Sequence, residues 1–460
     1  MINTATKIKK TILFIGDIFI LYFSLWLTLL LRYNQMVSQE RWDQHFLPFT
    51  LIFILWLIVF YITNLYDLNL ATSKVLFLSN FFKSILWCAA LAISFFYIFN
   101  AGIAPKTNLF LALLIIILLL IAWRYIFNKI IHTKISPSNT LILGASSVIF
   151  DLAKIINQKP MLGFKVIVIT RDGQLPLPEE NLPENLEIID QPYNLKEIII
   201  NKNITTIITG IDLRQDNKLI AELYNCLEHK IALFDLPTFL EKFTGKIPVN
   251  SIGQIWFLEN LNEESKSIYQ FIKRFIDIIL STTLIILSLP FIPLLYIIIK
   301  LNSHGPFLFK QKRTGKNNKT FTAMKIRSMY ENAEKNGPQW AIQNDNRVTR
   351  SGRFMRKTRI DEIPQLINIL RGEMSFIGPR PERPEFIAKL AEKIQFYNQR
   401  HLIKPGLTGW AQINFPYGAS EQDALEKLQY DLYYIKNRSF FLDLSILLKT
   451  IKTVLSGGGQ

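Results

Sequence analysis

Cysteine is nearly absent: Cys88 and Cys226 are the only two in 460 residues, one inside an apolar run and the other remote from it. That excludes a disulfide framework and a thiolate zinc site, and it suits a soluble part facing the cytoplasm. Acidic residues are also short, 36 Asp and Glu against 52 Lys and Arg, for a net charge of +16. Partners of negative sign follow: anionic lipid, phosphorylated substrates or nucleic acid. Neither a stacking-aromatic motif nor a helix-turn-helix pattern accompanies the basic residues, so no nucleic acid is expected among them. What the chain has in quantity is apolar surface, half of its residues with 34 Phe among them, which points to membrane segments.

Lys7, Lys9 and Lys10 precede an apolar run from Thr11 to Leu31. The run is too long for a signal-peptide core and lacks a small-residue cleavage site, so it reads as a retained transmembrane helix. Runs at about Phe46 to Leu65, Val75 to Phe99 and Asn108 to Phe127 are also long enough to span about 30 Å of hydrocarbon. Residues 1–135 are therefore expected to form a bundle of four transmembrane helices. Lys74 and Lys83 between the second and third runs, and Arg124, Lys129 and Lys134 after the fourth, place those flanks in the cytoplasm. Asp17, inside the first run, is expensive in hydrocarbon; it faces the bundle interior or marks function, and packing or placement at the membrane boundary is expected ahead of function.

From Asn139 the pattern changes. TLILG, FKVIVIT, LEIID, EIIINKNITTIIT and KIALFDL alternate with helical stretches, as in a parallel α/β sheet. Residues 136–262 are expected to be a Rossmann-like cytoplasmic domain. Its first strand ends in Gly144-Ala145-Ser146-Ser147-Val148-Ile149, which keeps one glycine of the dinucleotide fingerprint and loses the others, so close pyrophosphate approach is not provided for. Tyr269 and Lys273 have Y-x-x-x-K spacing but lie beyond this domain, at the mouth of a hydrophobic run, where the match is one of chance.

That run, Phe275 to Ile299, is long enough to cross a bilayer, yet Lys266, Lys273 and Arg274 precede it and Lys300, Lys310, Lys312 and Arg313 follow. Both ends carry the cytoplasmic signature. Pro290 and Pro293 break a helix near the middle, and Ser288 can satisfy part of the freed backbone. Residues 263–303 are therefore expected to form a re-entrant membrane helix in preference to a kinked fifth span. From Lys273 onward there are 29 Lys and Arg against 15 Asp and Glu, so nearly all of the excess charge lies in this part.

Arg359 to Glu382 holds the densest chemistry. After Asp361 and Glu362, residues Ile363, Leu366, Ile367 and Leu370 fall at helical spacing, Gly372 supplies a stop, and Asp361 stands where an N-cap belongs. A capping carboxylate and a phosphate site are both compatible with a helix start. Upstream, Arg353, Arg356 and Lys357 are near enough in helical phase to share a face, with Ser351-Gly352 as the helix start. Downstream, Gly378-Pro379-Arg380-Pro381 stiffens the backbone around one guanidinium, whose two-pronged fork suits phosphate oxygens.

Taken together, from Lys273 to the C-terminus the chain resembles the bacterial sugar transferase family, the monotopic polyprenyl-phosphate hexose-1-phosphate transferases. The resemblance rests on Lys273-Arg274 with Asp277, Gln311 to Gly315, Lys325 to Met329, the Asp361-Glu362 stretch, Gly378 to Glu382, Lys404 to Gln412, and Asp431 to Asn437. The four spans and degenerate Rossmann-like domain resemble the long members that start exopolysaccharide or O-antigen repeat units. The resemblance implies a mainly α catalytic domain over residues 304–460, on the cytoplasmic face of the bacterial inner membrane. It implies that Asp361 is a nucleophile toward the sugar-linked phosphate of a UDP-hexose, releasing UMP, and that undecaprenyl phosphate then accepts the phosphosugar. It further implies Mg²⁺ with Glu362 as ligand, phosphate contacts from Arg356, Arg380, Lys325 and Arg313, and Ser288 and Pro290 at the membrane hairpin. A homodimer is left open. Two rivals are weaker. A membrane-anchored nucleotide-sugar dehydratase needs an intact fingerprint and a Tyr-Lys pair inside the α/β domain, and a non-catalytic membrane scaffold leaves the carboxylate pair beside Arg380 without a use.

Overall fold

The computed structural model describes residues 2–67, 74–98, 105–134, 137–158, 163–171, 186–190, 194–211, 216–229, 231–261, 266–331, 333, 337, 345–415, 418 and 420–455. The chain divides into two compact units, residues 1–242 and 243–460. The expected boundaries at 135/136 and 262/263, and the tail Gly457 to Gly459, touch residues outside that description.

The first unit opens with four long helices where the apolar runs lie: α1 (Ile2–Tyr33), α2 (Gln39–Ile62), α3 (Lys74–Ile98) and α4 (Pro105–Lys134). Each is long and apolar enough to cross a membrane. Leu21, Leu25, Trp56, Phe60, Cys88 and Ile116 meet in their shared core. Asp17 is fully buried and pairs with Arg124 at 2.6 Å, so the intramembrane charge is spent on packing α1 against α4.

A parallel sheet follows: β1 (Ser138–Leu143), α5 (Ser147–Gln158), β2 (Phe164–Arg171), β3 (Glu187–Asp190), α6 (Leu195–Asn201), β4 (Thr206–Thr209), α7 (Asn217–Asn225), β5 (Ala232–Asp235) and α8 (Leu236–Thr244). The strand order is β3-β2-β1-β4-β5 with every pairing parallel. One expected strand is corrected. Glu197 to Thr209 is two elements, because Asn194 caps α6 through the Glu197 amide and Asn203, at φ +49°, turns the chain before β4.

In the second unit, α9 (Gln254–Asn260) leads to α10 (Ser267–Ser288), a 3₁₀ turn at Leu289–Phe291 and α11 (Ile292–Asn302). Together Ser267–Asn302 make a fifth stretch long and apolar enough to cross a membrane, broken where Pro290 stands. The Ser288 hydroxyl donates to the Ile285 carbonyl at 2.8 Å beside the break. The base of α10 is fixed by polar bonds: Asp277 accepts from the Phe376 amide at 3.0 Å, and Arg274 donates to the Ile369 and Leu370 carbonyls at 2.6 and 2.7 Å. Tyr269 and Lys273 both donate to Asp443 at 2.7 Å, which gives that Y-x-x-x-K pair a structural use.

The remainder comprises a hairpin, β6 (Leu308–Thr314) and β7 (Thr320–Ile326), then α12 (Arg350–Thr358), α13 (Gln365–Arg371), β8 (Ser375–Ile377), α14 (Pro384–Lys393), β9 (Gly406–Thr408), α15 (Trp410–Asn414), α16 (Glu421–Asn437) and α17 (Phe440–Leu455). Leu366, Ile369, Met374, Leu428, Leu432 and Ile435 form its core, joined by Ile247 and Val249 from the segment before α9.

Candidate functional site

Five pieces of chain converge on the carboxylate pair. Lys325 comes from β7, Arg356 from α12, Asp361 and Glu362 from a 3₁₀ turn at Ile360–Glu362, Arg359 from the residue before that turn, and Arg380 from the segment after β8. Thr349, not Ser351, caps α12, accepting from the Gly352 amide at 2.9 Å. Gly352 is required there because a Cβ would stand 1.9 Å from the Ser328 carbonyl oxygen, so the helix lies directly on the chain leaving β7. Arg359 then reverses the chain in the left-handed region, φ +59°, an uncommon conformation for a residue with a side chain.

The expected N-cap role of Asp361 is corrected by this turn. The seven-residue α13 begins only at Gln365, behind Pro364, and no side chain caps it. The positive potential around the pair therefore comes from the surrounding cations and not from a helix start. Glu362 accepts from Lys325 Nζ at 2.9 Å and Arg380 NH2 at 2.8 Å through Oε1, and Arg359 NH1 stands 3.4 Å from Oε2. Asp361 and Glu362 are each 5% exposed, and Asp361 Oδ1 is buried with no hydrogen-bond partner among the described residues.

These environments drive the two acids apart. Burial alone would raise Glu362, but Lys325, Arg380 and Arg359 overcome it and hold the carboxyl well below the usual range. Burial pushes Asp361 up; Lys325 opposes the rise, Glu362 adds to it, and Arg356 and Arg359 pull it back. Burial likewise lowers Lys325, with Glu362 working against the change. Glu362 is thus spent on its neighbours, whereas Asp361 is a more basic carboxylate with an oxygen to spare.

The expected face of Arg353, Arg356 and Lys357 divides. Arg356 turns inward, donating through Nε to Ser328 Oγ at 3.0 Å and standing near enough to feel Asp361. Arg353 and Lys357 face outward beside Phe354, which is 62% exposed. Arg313 lies behind the pair: it donates to the Pro381 carbonyl at 3.0 Å and to Gln311 at 2.5 Å, and stands 3.6 Å from Glu382. Ser288 and Pro290 lie in the helix break, and no hydrogen bond or ion pair among the described residues joins them to the carboxylates.

The Lys404 to Gln412 loop explains its own motif. β9 pairs with β8, Gly406 donates to the Pro379 carbonyl at 2.9 Å, and a Cβ on Gly406 would stand 2.1 Å from the Gly378 nitrogen. Two glycines allow the strands to touch, and that contact sets the Arg380 segment. Sequence reasoning missed Arg359 as a site residue, although it stands two positions before Asp361. It also missed Arg400, which no local pattern marks.

A family model described as bacterial sugar transferase matches residues 268–457. A UDP-N-acetylgalactosamine-undecaprenyl-phosphate N-acetylgalactosaminephosphotransferase of Aeromonas hydrophila is 41% identical over 252 residues, 54% of this chain and 59% of that protein. A UDP-glucose:undecaprenyl-phosphate glucose-1-phosphate transferase of Escherichia coli K12 is 32% identical over 310 residues, 65% of this chain and 64% of that protein. In both, the match spans less than two thirds of the relative's length. An exopolysaccharide production protein of Rhizobium leguminosarum bv. phaseoli is 38% identical over 193 residues, 41% of this chain and 96% of that protein.

Proposed function

The chain belongs to the bacterial sugar transferase family, and from that membership and the carboxylate pair we propose that it moves a hexose 1-phosphate from a UDP-hexose to undecaprenyl phosphate. The observation that carries this reading is the unpartnered, buried Oδ1 of Asp361 beside a glutamate already clamped by three cations. In the first half-reaction an Asp361 oxygen attacks the sugar-bearing phosphorus. A bond from carboxylate oxygen to phosphorus forms, the bond from that phosphorus to the bridging oxygen breaks, and UMP leaves with that oxygen. In the second, a phosphate oxygen of undecaprenyl phosphate attacks the same phosphorus, breaking its bond to Asp361 and restoring the carboxylate.

An anion attacking an anionic diphosphate needs fixed positive charge nearby. Lys325, Arg356, Arg359 and Arg380 supply it, and Glu362 holds three of them in place. Magnesium, which keeps many of its waters and needs few carboxylates, fits this donor set. Glu362 would hold the ion through Oε2, which has only the longer contact to Arg359 among the described residues, leaving Asp361 to attack. When bound, the ion supplies charge neutralisation at the phosphate oxygens.

The reading extends to the membrane. The broken stretch Ser267–Asn302 enters and leaves the cytoplasmic face of the inner membrane, and the product serves repeat-unit synthesis. Cysteines placed at Lys266 and Asn302 are expected to react with the same cytoplasm-side label; opposite labelling would make the stretch a true span.

The test of the chemistry uses purified full-length protein with Mg²⁺ and a UDP-hexose. Without acceptor, one equivalent of UMP and a protein mass increased by a hexose phosphate are expected; with undecaprenyl phosphate, UMP release becomes continuous. An Asp361→Asn protein that still releases UMP would sink the nucleophile assignment. A panel of UDP-glucose, UDP-galactose and their N-acetylated forms identifies the sugar.

A further inference from the structure

Four successive carbonyls run through the Arg380 segment, and each is held by a donor, the four donors coming from three parts of the second unit: β9, the turn at Arg400, and the end of β6. Pro379 accepts from the Gly406 amide at 2.9 Å, Arg380 from Arg400 NH2 at 3.1 Å, Pro381 from Arg313 NH1 at 3.0 Å, and Glu382 from the Thr314 amide at 3.0 Å. Such a segment has almost no freedom to swing. Two of the donors are backbone amides fixed by strands and Arg313 is partly open, but Arg400 is sealed in the interior, with its side chain 4% exposed.

Arg400 reaches the segment from the 3₁₀ turn Tyr397–Leu402, and its other bonds aim it. NH1 donates to the Tyr397 hydroxyl at 2.7 Å, and NH2 stands 2.8 Å from Asp431 Oδ2 on α16, whose side chain is 2% exposed. One nitrogen thus bridges the Asp431 carboxylate and the Arg380 carbonyl. A buried guanidinium without its counter-ion is costly, so the orientation of Arg400 depends on Asp431 being charged.

We propose that the buried Arg400–Asp431 pair is a positioning device for the transfer reaction, setting Arg380 against Glu362 through the backbone of residues 379–382. The proposal rests on the phosphotransferase reading above, and neither residue touches the carboxylate pair. The groups facing Asp431 are Arg400 and Tyr397 from the 3₁₀ turn, Glu382 from the held segment, and Lys427 from its own helix. Burial raises the Asp431 carboxyl to about 6, with Arg400 pulling against the rise. Below that pH Asp431 takes a proton, Arg400 loses its partner, and the Arg380 carbonyl loses its fixed donor.

The experiment follows UMP release by the full-length protein from pH 5 to 9, separating kcat from KM. Wild type is expected to show an acid limb near pH 6. Asp431→Asn should lower kcat about tenfold or more at pH 8 with intact melting behaviour, and its acid limb should move to lower pH; Asp431→Glu should restore most of the activity. Should Asp431→Asn fail to fold, Tyr397→Phe, which removes one bond to Arg400 and no charge, is expected to lower kcat about threefold while leaving the acid limb in place. Wild-type kcat in either folded variant, or an acid limb unmoved in Asp431→Asn, overturns the positioning role while leaving the phosphotransferase reading intact. A wild-type protein that releases no UMP at any pH overturns both.

Discussion

Two buried clusters of charge in this chain look alike in kind and differ in stoichiometry. In the helical bundle Asp17 meets Arg124 one to one, at 2.6 Å with side chains 0% and 7% exposed, and the Tyr66 ring lies 5.6 Å from the guanidinium. In the second unit two carboxylates, Asp361 and Glu362, are surrounded by Lys325, Arg356, Arg359 and Arg380. The first arrangement cancels its charge. Each cluster leaves a buried carboxylate oxygen without a hydrogen bond among the described residues, Asp17 Oδ1 in one and Asp361 Oδ1 in the other, but only the second leaves positive charge in excess, which is what the proposed transfer from an anionic diphosphate needs. Burial of charge is therefore a poor marker of function, and the ratio of signs is a better one. Arg400 with Asp431 is again one to one, which is why a role in positioning suits it and a role in chemistry does not.

Substitution should separate the two clusters. Asp361→Asn is expected to lower UMP release by more than about a thousandfold, over 4 kcal/mol in the barrier, while the melting temperature in detergent stays level or rises, because a buried oxygen without a partner contributes little to folding. Asp17→Ala is expected to do the reverse. It strands Arg124 in the bundle, at a cost of about 3 to 5 kcal/mol, seen as a lower melting temperature with UMP release per folded molecule unchanged. Adding Arg124→Leu should recover much of that loss. An Asp17→Ala protein that melts like wild type but has lost activity would assign the bundle pair to the reaction and collapse the contrast.

The elements of both regions were legible to different depths. Four helices appear at the four apolar runs because length and uniform hydrophobicity leave the backbone no other way to satisfy its polar groups in lipid. The break at Pro290 was legible because proline removes a donor. The stretch from Glu197 to Thr209 was misread because Ile198, Ile199 and Ile200 suit helix and strand alike, and short polar residues at Asn194 and Asn203 decided between them. Asp361, Glu362 and Arg380 could be singled out from local chemistry. That Lys325 and Arg380 would share one oxygen of Glu362 could not, because the contact is made by tertiary packing of β7 against the turn. Arg400 carries no local signature, and Asp431 was marked only as the head of a motif without a role, since an arginine in a turn and an aspartate on a helix are ordinarily solvated.

The next effect lies inside the second cluster. Glu362→Gln keeps shape and removes the charge that Lys325, Arg359 and Arg380 share. About a hundredfold loss of kcat is expected, close to 2.7 kcal/mol, because the cations spread when their common anion goes. Loss equal to that of Asp361→Asn would mean that Glu362 is part of the chemistry itself and not the holder of its cations.

The smallest effect concerns pH and stability around the Arg400–Asp431 pair. His401 is buried beside Arg400, and burial first and that guanidinium second push it from 6.5 down to about 3. The folded state refuses a proton that the unfolded state accepts, so this group removes stability as pH falls from 6.5 toward 3. Asp431 acts with opposite sign: raised from 3.8 to about 6, it holds a proton in the folded state that the unfolded state has released, so it adds stability as pH falls from 6 toward 4. Between pH 6 and 4 the two oppose each other, each with a limiting slope of about 1.4 kcal/mol per pH unit. Melting curves of His401→Gln taken against wild type should therefore show a relative gain as the solution is acidified through that window, and those of Asp431→Asn a relative loss. Parallel curves for all three proteins would mean that neither group titrates differently on folding, and the acid limb of the reaction would then have to originate in the carboxylate pair.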